Sequence, residues 1–296
     1  MNKALSITVI FQANALNYGE GLGNISELKK FHRGNGAVYT YASRQSIRYD
    51  IVRLGNQLFD WNLNTVSKEK GVVQFKDEVT IADSVEMDLF GYLKTGKKSK
   101  KRNAVVRLSH GISLEPYRGD MDFLNNMGLA NRLGEDPNLA NIEQHLSLFT
   151  YTCTIDLNRV GVDGDVVLEN TEKVERLLQF LSILKILNRE IKGRQESLAP
   201  LFIIGGIYNV ANPFFFGKIK TTPKKDGWEI DLGPIRSTME QTFNGEKIAD
   251  KTKIGLIEGI FSNKASFEEL YQGKVVSIEE FFQFLHDGIK YAYGGI

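Results

Sequence analysis

A single cysteine, Cys153, stands in 296 residues, so no internal disulfide can form and a reducing compartment, the cytoplasm, is the expected setting. Charge of one sign is also missing. Thirty-seven Lys and Arg against 36 Asp and Glu leave a formal net charge of +1 and no basic tail, so a polyanion must be met by a local basic surface. Long apolar runs are lacking too: the N-terminus alternates like a strand, and the longest apolar stretch, 198–211, is interrupted and too short to cross a bilayer. Neither a secretion signal nor a membrane helix is expected. The histidines, His32, His110, His145 and His286, are scattered without the paired spacing of a zinc site. Gly19, Gly21 and Gly23 match neither a Walker loop nor a dinucleotide fingerprint and read as a flexible loop. No metal and no cofactor is expected, and no solenoid repeat is present.

What is there is ordinary core material in a recognisable order. Leu5, Ile7, Val9 and Phe11 share one face of a first strand ending near Asn14, and a Gly-rich loop follows to Thr40. Next, Ile47, Ile51, Leu54, Leu58 and Trp61 recur at helical spacing to about Asn62. At about 100° per residue, Gln45, Arg48 and Val52 fall on another face. From 63 to 103 the pattern breaks into an acidic cluster and then a basic run from Lys94 to Arg102, which reads as an insertion. A short strand at 104–108, a second excursion at 109–146 and the alternating strand 147–157 follow. A second helix begins at Asn170 or Thr171 and is expected to stop with Arg189, Lys192 and Gly193, ahead of a strand at 201–208. An accessory hairpin at 211–235 turns at 222–227, and Ser277 to Glu280 form a capping box opening a C-terminal helix. The core order is β-α-β-β-α-β. The expected fold class is therefore α+β, a ferredoxin-like (RRM-like) core in one domain, 1–296, with long insertions.

The candidate site lies at the start of the first helix, in Tyr41-Ala42-Ser43-Arg44-Gln45-Ser46-Ile47-Arg48. A helix N-terminus with free N–H groups, a positive dipole end and Ser, Gln and Arg donors suits a phosphate backbone. The same residues also meet the plainer requirement of an N-cap, Ser43, before a solvated polar turn. Upstream, Tyr18, His32, Arg33, Tyr39 and Tyr41 interleave aromatics with cations, as stacking and phosphate contact require, though such tyrosines also pack at sheet junctions. Asp120-Met121-Asp122 has the acids for a divalent cation but the flanks, Arg118 and Gly119, of a turn or helix cap.

These segments resemble the RAMP backbone subunit of type I CRISPR surveillance complexes, the Cas-seven or DevR autoregulator family, most like its type I-B branch. The resemblance rests on ITVIFQANALNYGEG, YASRQSIRYDIVRLG, GISLEPYRGDMDFLNNMG, HLSLFTYTCTIDL and GRQESLAPLFIIGG, and covers nearly the whole chain. It implies a guide-RNA-binding scaffold without catalytic activity, whose partners are the CRISPR guide RNA, a target DNA strand, further copies of itself and other effector-complex subunits. It further implies that Ser43, Gln45 and Arg48 hold guide phosphates, with Asn17, Tyr18, Arg33 and Arg44 beside them. Lys97, Lys98, Lys100 and Lys101 belong to a finger-like insertion, 63–103. Arg118 and Phe123, the latter an apolar wedge, belong to a thumb-like one, 109–146. Val52 stands where some relatives carry a second basic residue. The alternative is a metal-dependent ribonuclease like the backbone subunits of type III complexes, with Glu20 or Glu27 as the acid.

Overall fold

The computed structural model describes residues 3–21, 23–69, 71–95 and 99–295 of a mixed α/β protein. Nine strands share one sheet. In chain order they are β1 (Ala4–Asn14), β2 (Lys30–His32), β3 (Val38–Ala42), β4 (Val106–Leu108), β5 (Gly111–Ser113), β6 (Leu146–Asp156), β7 (Phe202–Tyr208), β8 (Thr252–Leu256) and β9 (Val275–Val276). The helices are α1 (Arg44–Phe59), α2 (Val85–Phe90), α3 (Met127–Leu133), α4 (Asn170–Lys185), α5 (Leu232–Met239), α6 (Lys264–Leu270) and α7 (Ile278–Ala292). Across the sheet the order is β9-β8-β7-β1-β6-β5-β3-β2, with β4 pairing β6 beside β5. Every pairing is antiparallel except β8 with β9. Among the described residues no helix is long and apolar enough to cross a membrane.

The period-2 alternation in β1 and β6 decides the layers. The two strands pair from Ala4 opposite Asp156 to Asn14 opposite Leu146. This puts Leu5, Ile7, Val9 and Phe11 beside Phe149, Tyr151, Cys153 and Ile155 on one face, where α1, α4 and α7 cover them. Each aliphatic or Phe side chain buried there stabilises by roughly 1.5–3 kcal/mol. On the other face Ile10, Leu148, Phe202 and Ile204 pack under Phe215, Ile235 and Phe267. Between those apolar groups the hydroxyls of Thr8 and Thr152 bond each other at 2.9 Å, satisfying two buried polar atoms at once.

Several elements differ from expectation. The loop from Asn14 to Thr40 contains β2 and β3, a hairpin that extends the sheet through β5; Gly36, at φ 82°, and an Asn35 side chain accepting from the Ala37 amide make its turn. Helix α1 ends at Phe59, where Asp60 takes a left-handed conformation, and Trp61 folds back under it. Val52 lies in the core and Leu58 is half exposed, the reverse of their expected faces. Helix α4 stops at Lys185, and Lys192 and Gly193, both with positive φ, form the turn of a hairpin, Asn188–Ile191 with Arg194–Ser197. The segment Asp120–Asn125 is an exposed strand, neither turn nor cap, paired with Leu139–Gln144. The hairpin near 222–227 and the Ser277 capping box are found as expected.

Among the described residues of 63–103, two hairpins, Val66–Glu69 with Val72–Phe75 and Tyr92–Lys94 with Lys100–Arg102, flank α2. A buried carboxylate fastens them to the core. Asp88 on α2 accepts from Arg102 at 2.7 Å, from Arg176 of α4 at 3.0 Å and from the Gly161 amide at 2.9 Å. Lys94, at the start of the basic run, is also buried, and its ammonium donates to the carbonyls of Asp77 and Val79. The run is therefore not a uniform cationic surface.

Gly55, in the middle of α1, yields a test of sign. Alanine there adds helix propensity worth about 1 kcal/mol. Its Cβ, however, would lie 2.3 Å from the Trp61 ring, which is buried and held by an Nε1–H donated to Gln179 Oε1 at 2.7 Å. Overpacking of this kind costs about 1–3 kcal/mol. Gly55→Ala is expected to lower the urea midpoint; a midpoint above wild type would refute this packing.

Candidate functional site

Ser43 is the N-cap of α1, and its Oγ accepts from the Ser46 amide at 3.2 Å. Its own N–H donates to Asn17 Oδ1 at 3.0 Å, which ties the segment after β1 to the helix. The Arg44 amide donates to His110 Nδ1 at 3.1 Å. The mouth is thus less open than expected: of its first amides, only that of Gln45 finds no acceptor among the described residues. The first turn carries no acidic residue, so the positive dipole end is uncompensated, and the Arg44 and Gln45 side chains stand exposed around it.

Arg48 is placed otherwise. Its Nη2 pairs with Glu86 of α2 at 2.6 Å and its guanidinium lies 5.2 Å from the centre of the Phe90 ring. It is a half-exposed cation already holding a carboxylate, not a free donor. Because α2 also carries Asp88, Arg48 sits between the mouth and the hairpin bearing Lys100 and Lys101.

The hairpin Asn188–Ile191 with Arg194–Ser197 brings cations that were not anticipated. Arg189 donates to Leu16 O at 2.7 Å, Ser46 O at 3.3 Å and Asp50 Oδ2 at 2.7 Å, locking the chain after β1 onto α1. Lys192 reaches Ser26 Oγ at 3.2 Å and lies 5.3 Å from the centre of the Tyr18 ring. Arg194 donates to Gln144 Oε1 at 2.8 Å. Tyr18 itself donates to Glu143 O at 3.0 Å, and burial raises its pKa. The signal for this hairpin was Lys192-Gly193 between two short polar alternations, masked by its position after a helix.

The remaining expected residues are dispersed. Arg33 is exposed at the β2–β3 turn, Lys100 and Lys101 on a hairpin strand, and Arg118 just before the strand Asp120–Asn125. Lys97 and Lys98 lie outside the described residues. Phe123 is 58% exposed, on a strand whose six residues are all exposed. That strand and Leu139–Gln144 join Ile25–Ser26 in a small sheet, anchored where Glu143 accepts from the Leu28 amide at 2.7 Å and from Lys30. Among the described residues no group of three or more His, Cys, Asp or Glu could hold a metal ion. Glu20 and Glu27 are exposed.

Fold and site together define a mixed α/β protein with an anion-receptive helix mouth beside a sheet edge. Two chains in solved assemblies share this fold. One, from a CRISPR RNA-guided surveillance complex in a pre-nicking state, matches with TM-score 0.56 and 12% identity, covering 97% of this chain and 100% of that one. The other, from a CRISPR RNA-guided surveillance complex, matches with TM-score 0.53 and 13% identity, covering 98% and 99%. Residues 5–224 match the CRISPR-associated negative auto-regulator DevR/Csa2 family, and the chain belongs to it. No curated protein matches the sequence.

Burial lowers the pKa of His110, His145 and His286 below the ordinary histidine range, and Arg44 and Lys29 push His110 the same way. His110 must also keep Nδ1 unprotonated to accept the Arg44 amide. The unfolded chain takes up protons that the folded chain refuses, so stability is full above the ordinary histidine range and falls as pH drops through it. The urea midpoint should therefore drop between about pH 7.5 and about pH 5.5. An unchanged midpoint would contradict these environments.

Proposed function

We propose that the protein is a guide-RNA-binding backbone subunit of a CRISPR surveillance complex, non-catalytic, assembling in several copies along the guide and supporting target DNA recognition in the cytoplasm. The observation that carries this reading is the uncompensated mouth of α1, with exposed Arg44 and Gln45, in a chain of the DevR/Csa2 family. Such a mouth grips sugar and phosphate and leaves base edges free, as a protein accepting any guide sequence must. A few contacts per copy suffice, because copies on one strand multiply them. That accounts for tight binding by a nearly neutral protomer.

The strand order β7-β1-β6-β4/β5, with α1 and α4 on one face, is the order of a ferredoxin-like core, and we read the chain as one such domain, 1–296. On this reading residues 63–103 are fingers, 211–235 an accessory hairpin and 109–146 a thumb whose base, β5, is part of the main sheet. Exposed Met121, Phe123, Leu124, Met127, Leu129 and Leu133 suit the thumb to burial against a neighbouring copy. Asn17 and Tyr18 position the mouth, Ser43 caps it, and Arg44 with Gln45 meets the phosphate. Arg48 joins when its pair with Glu86 opens.

Binding of labelled single-stranded guide RNA across a salt series tests the assignment. Arg44→Ala should weaken binding for every sequence alike and reduce the salt slope by about 0.7, the value for one phosphate contact on a single strand. Glu86→Gln, which releases Arg48, should tighten it. If neither variant changes affinity, the mouth is not the guide site. With guide, target RNA and magnesium present the target should stay intact; site-specific cuts lost in Glu20→Ala or Glu27→Ala would overturn the non-catalytic reading.

A further inference from the structure

Three rings next to the mouth of α1 have no part in gripping phosphate. Phe31 of β2 stacks on Tyr41 of β3, with centroids 4.0 Å apart and planes 14° apart, and the His110 ring meets them edge-on at 5.7 and 5.1 Å. Register fixes which way they point. Ala42 and Gly111 are paired neighbours that face Ile47 of α1, so Tyr41 and its partner Ile112 project from the opposite side of the sheet. His110, two residues before Ile112, projects there too. It is the face on which the second core cluster packs, but none of the three rings belongs to either cluster.

An aromatic pair whose purpose was packing would be closed over. Here Tyr41 covers one face of the Phe31 ring, yet Phe31 keeps 37% of its surface in solvent and Tyr41 and His110 are only half buried. The shelf is also joined to the anion-receptive mouth, because the His110 ring accepts the Arg44 amide and the exposed Arg44 side chain leaves from the same residue. Lys29 is close as well: its carbonyl accepts the Tyr41 amide at 3.0 Å, and its charge, with that of Arg44, lowers the pKa of His110. Open aromatic surface flanked by cations is what a nucleotide requires, a π-face for the base and positive charge for its phosphate.

We propose that Phe31 and Tyr41, held by His110, form a shelf on which one unpaired base of the bound strand stacks while its phosphate lies at Arg44 and the Gln45 amide. This rests on the guide-binding reading above and adds a base contact to it. The contact is indifferent to sequence, since every base has a π-face, so it does not compete with reading by pairing. It sets the spacing and direction of the strand as it leaves the mouth.

The test uses the full-length protein with two single-stranded RNAs of equal length, one ordinary and one carrying abasic residues, and a third containing 2-aminopurine. Phe31→Ala should bind ordinary RNA about tenfold more weakly, the loss of one base–aromatic stack, with an unchanged salt slope. On abasic RNA it should match wild type. Phe31→Leu, which retains apolar packing, should behave like Phe31→Ala, and Phe31→Tyr like wild type. Independently of any variant, 2-aminopurine fluorescence should be quenched on binding wild type. Equal affinity of Phe31→Leu and wild type for ordinary RNA, or an equal loss on both RNAs, would overturn the shelf while leaving the guide-binding reading in place. Wild type that binds neither RNA would overturn both.

Discussion

The placement of every group at the mouth of α1 follows from the antiparallel pairing of β1 with β6. Side chains alternate with period two, so a slip of one residue would turn Leu5, Ile7, Val9 and Phe11 away from α1, α4 and α7. The register therefore has a large energetic gap behind it. It is transmitted outward at the end of the strands, where the Asn14 side chain accepts the His145 amide at 3.1 Å. Two residues on, Leu16 O takes Arg189, and the Asn17 side chain then takes the Ser43 amide. Thus the core pairing determines where the first helix begins.

Charge has a second organising role. Several cations of this nearly neutral chain are already engaged in holding its parts together: Arg102 and Arg176 at Asp88, Arg189 and Arg53 at Asp50, Lys30 at Glu143, and Lys94 on two carbonyls. Removing a carboxylate from water is costly, and each buried one here is met by more than one donor. Among the described residues, those left open to a ligand include a short arc of cations at the mouth of α1, Arg44 with Lys29 beside it, together with the exposed Arg33, Lys100, Lys101 and Arg118 elsewhere on the surface. Net charge alone concealed both the interior pairs and the arc.

Strong local periodicity made β1, β6 and β7 readable, and most of α1 and α4, because each buries a continuous stripe, and a capping box marked the start of α7. Ser43 as a cap was readable for the same reason, since its acceptor role reaches only three residues ahead. The short strands β2 and β3 were not, because three to five residues with mixed Lys, His and aromatic character carry little periodic signal. The hairpin 188–197 was hidden by the helix before it, whose expected basic C-terminus Lys192 and Gly193 imitated. Val52 and Leu58 exchanged expected faces because Trp61 and the neighbouring helices, not the helix period alone, decide what is covered.

From residue order by itself come the strand–helix alternation of the core, the polar helix start at Ser43 and the absence of any excess charge, all properties of neighbours within a few positions. Which of those polar groups stays free was decided only by the tertiary structure. Glu86 claims Arg48 across 38 residues, His110 claims the Arg44 amide across 66, and Arg189 arrives from 143 residues beyond Ser46. Such pairings depend on how the sheet brings distant segments into reach, and no local pattern encodes that distance.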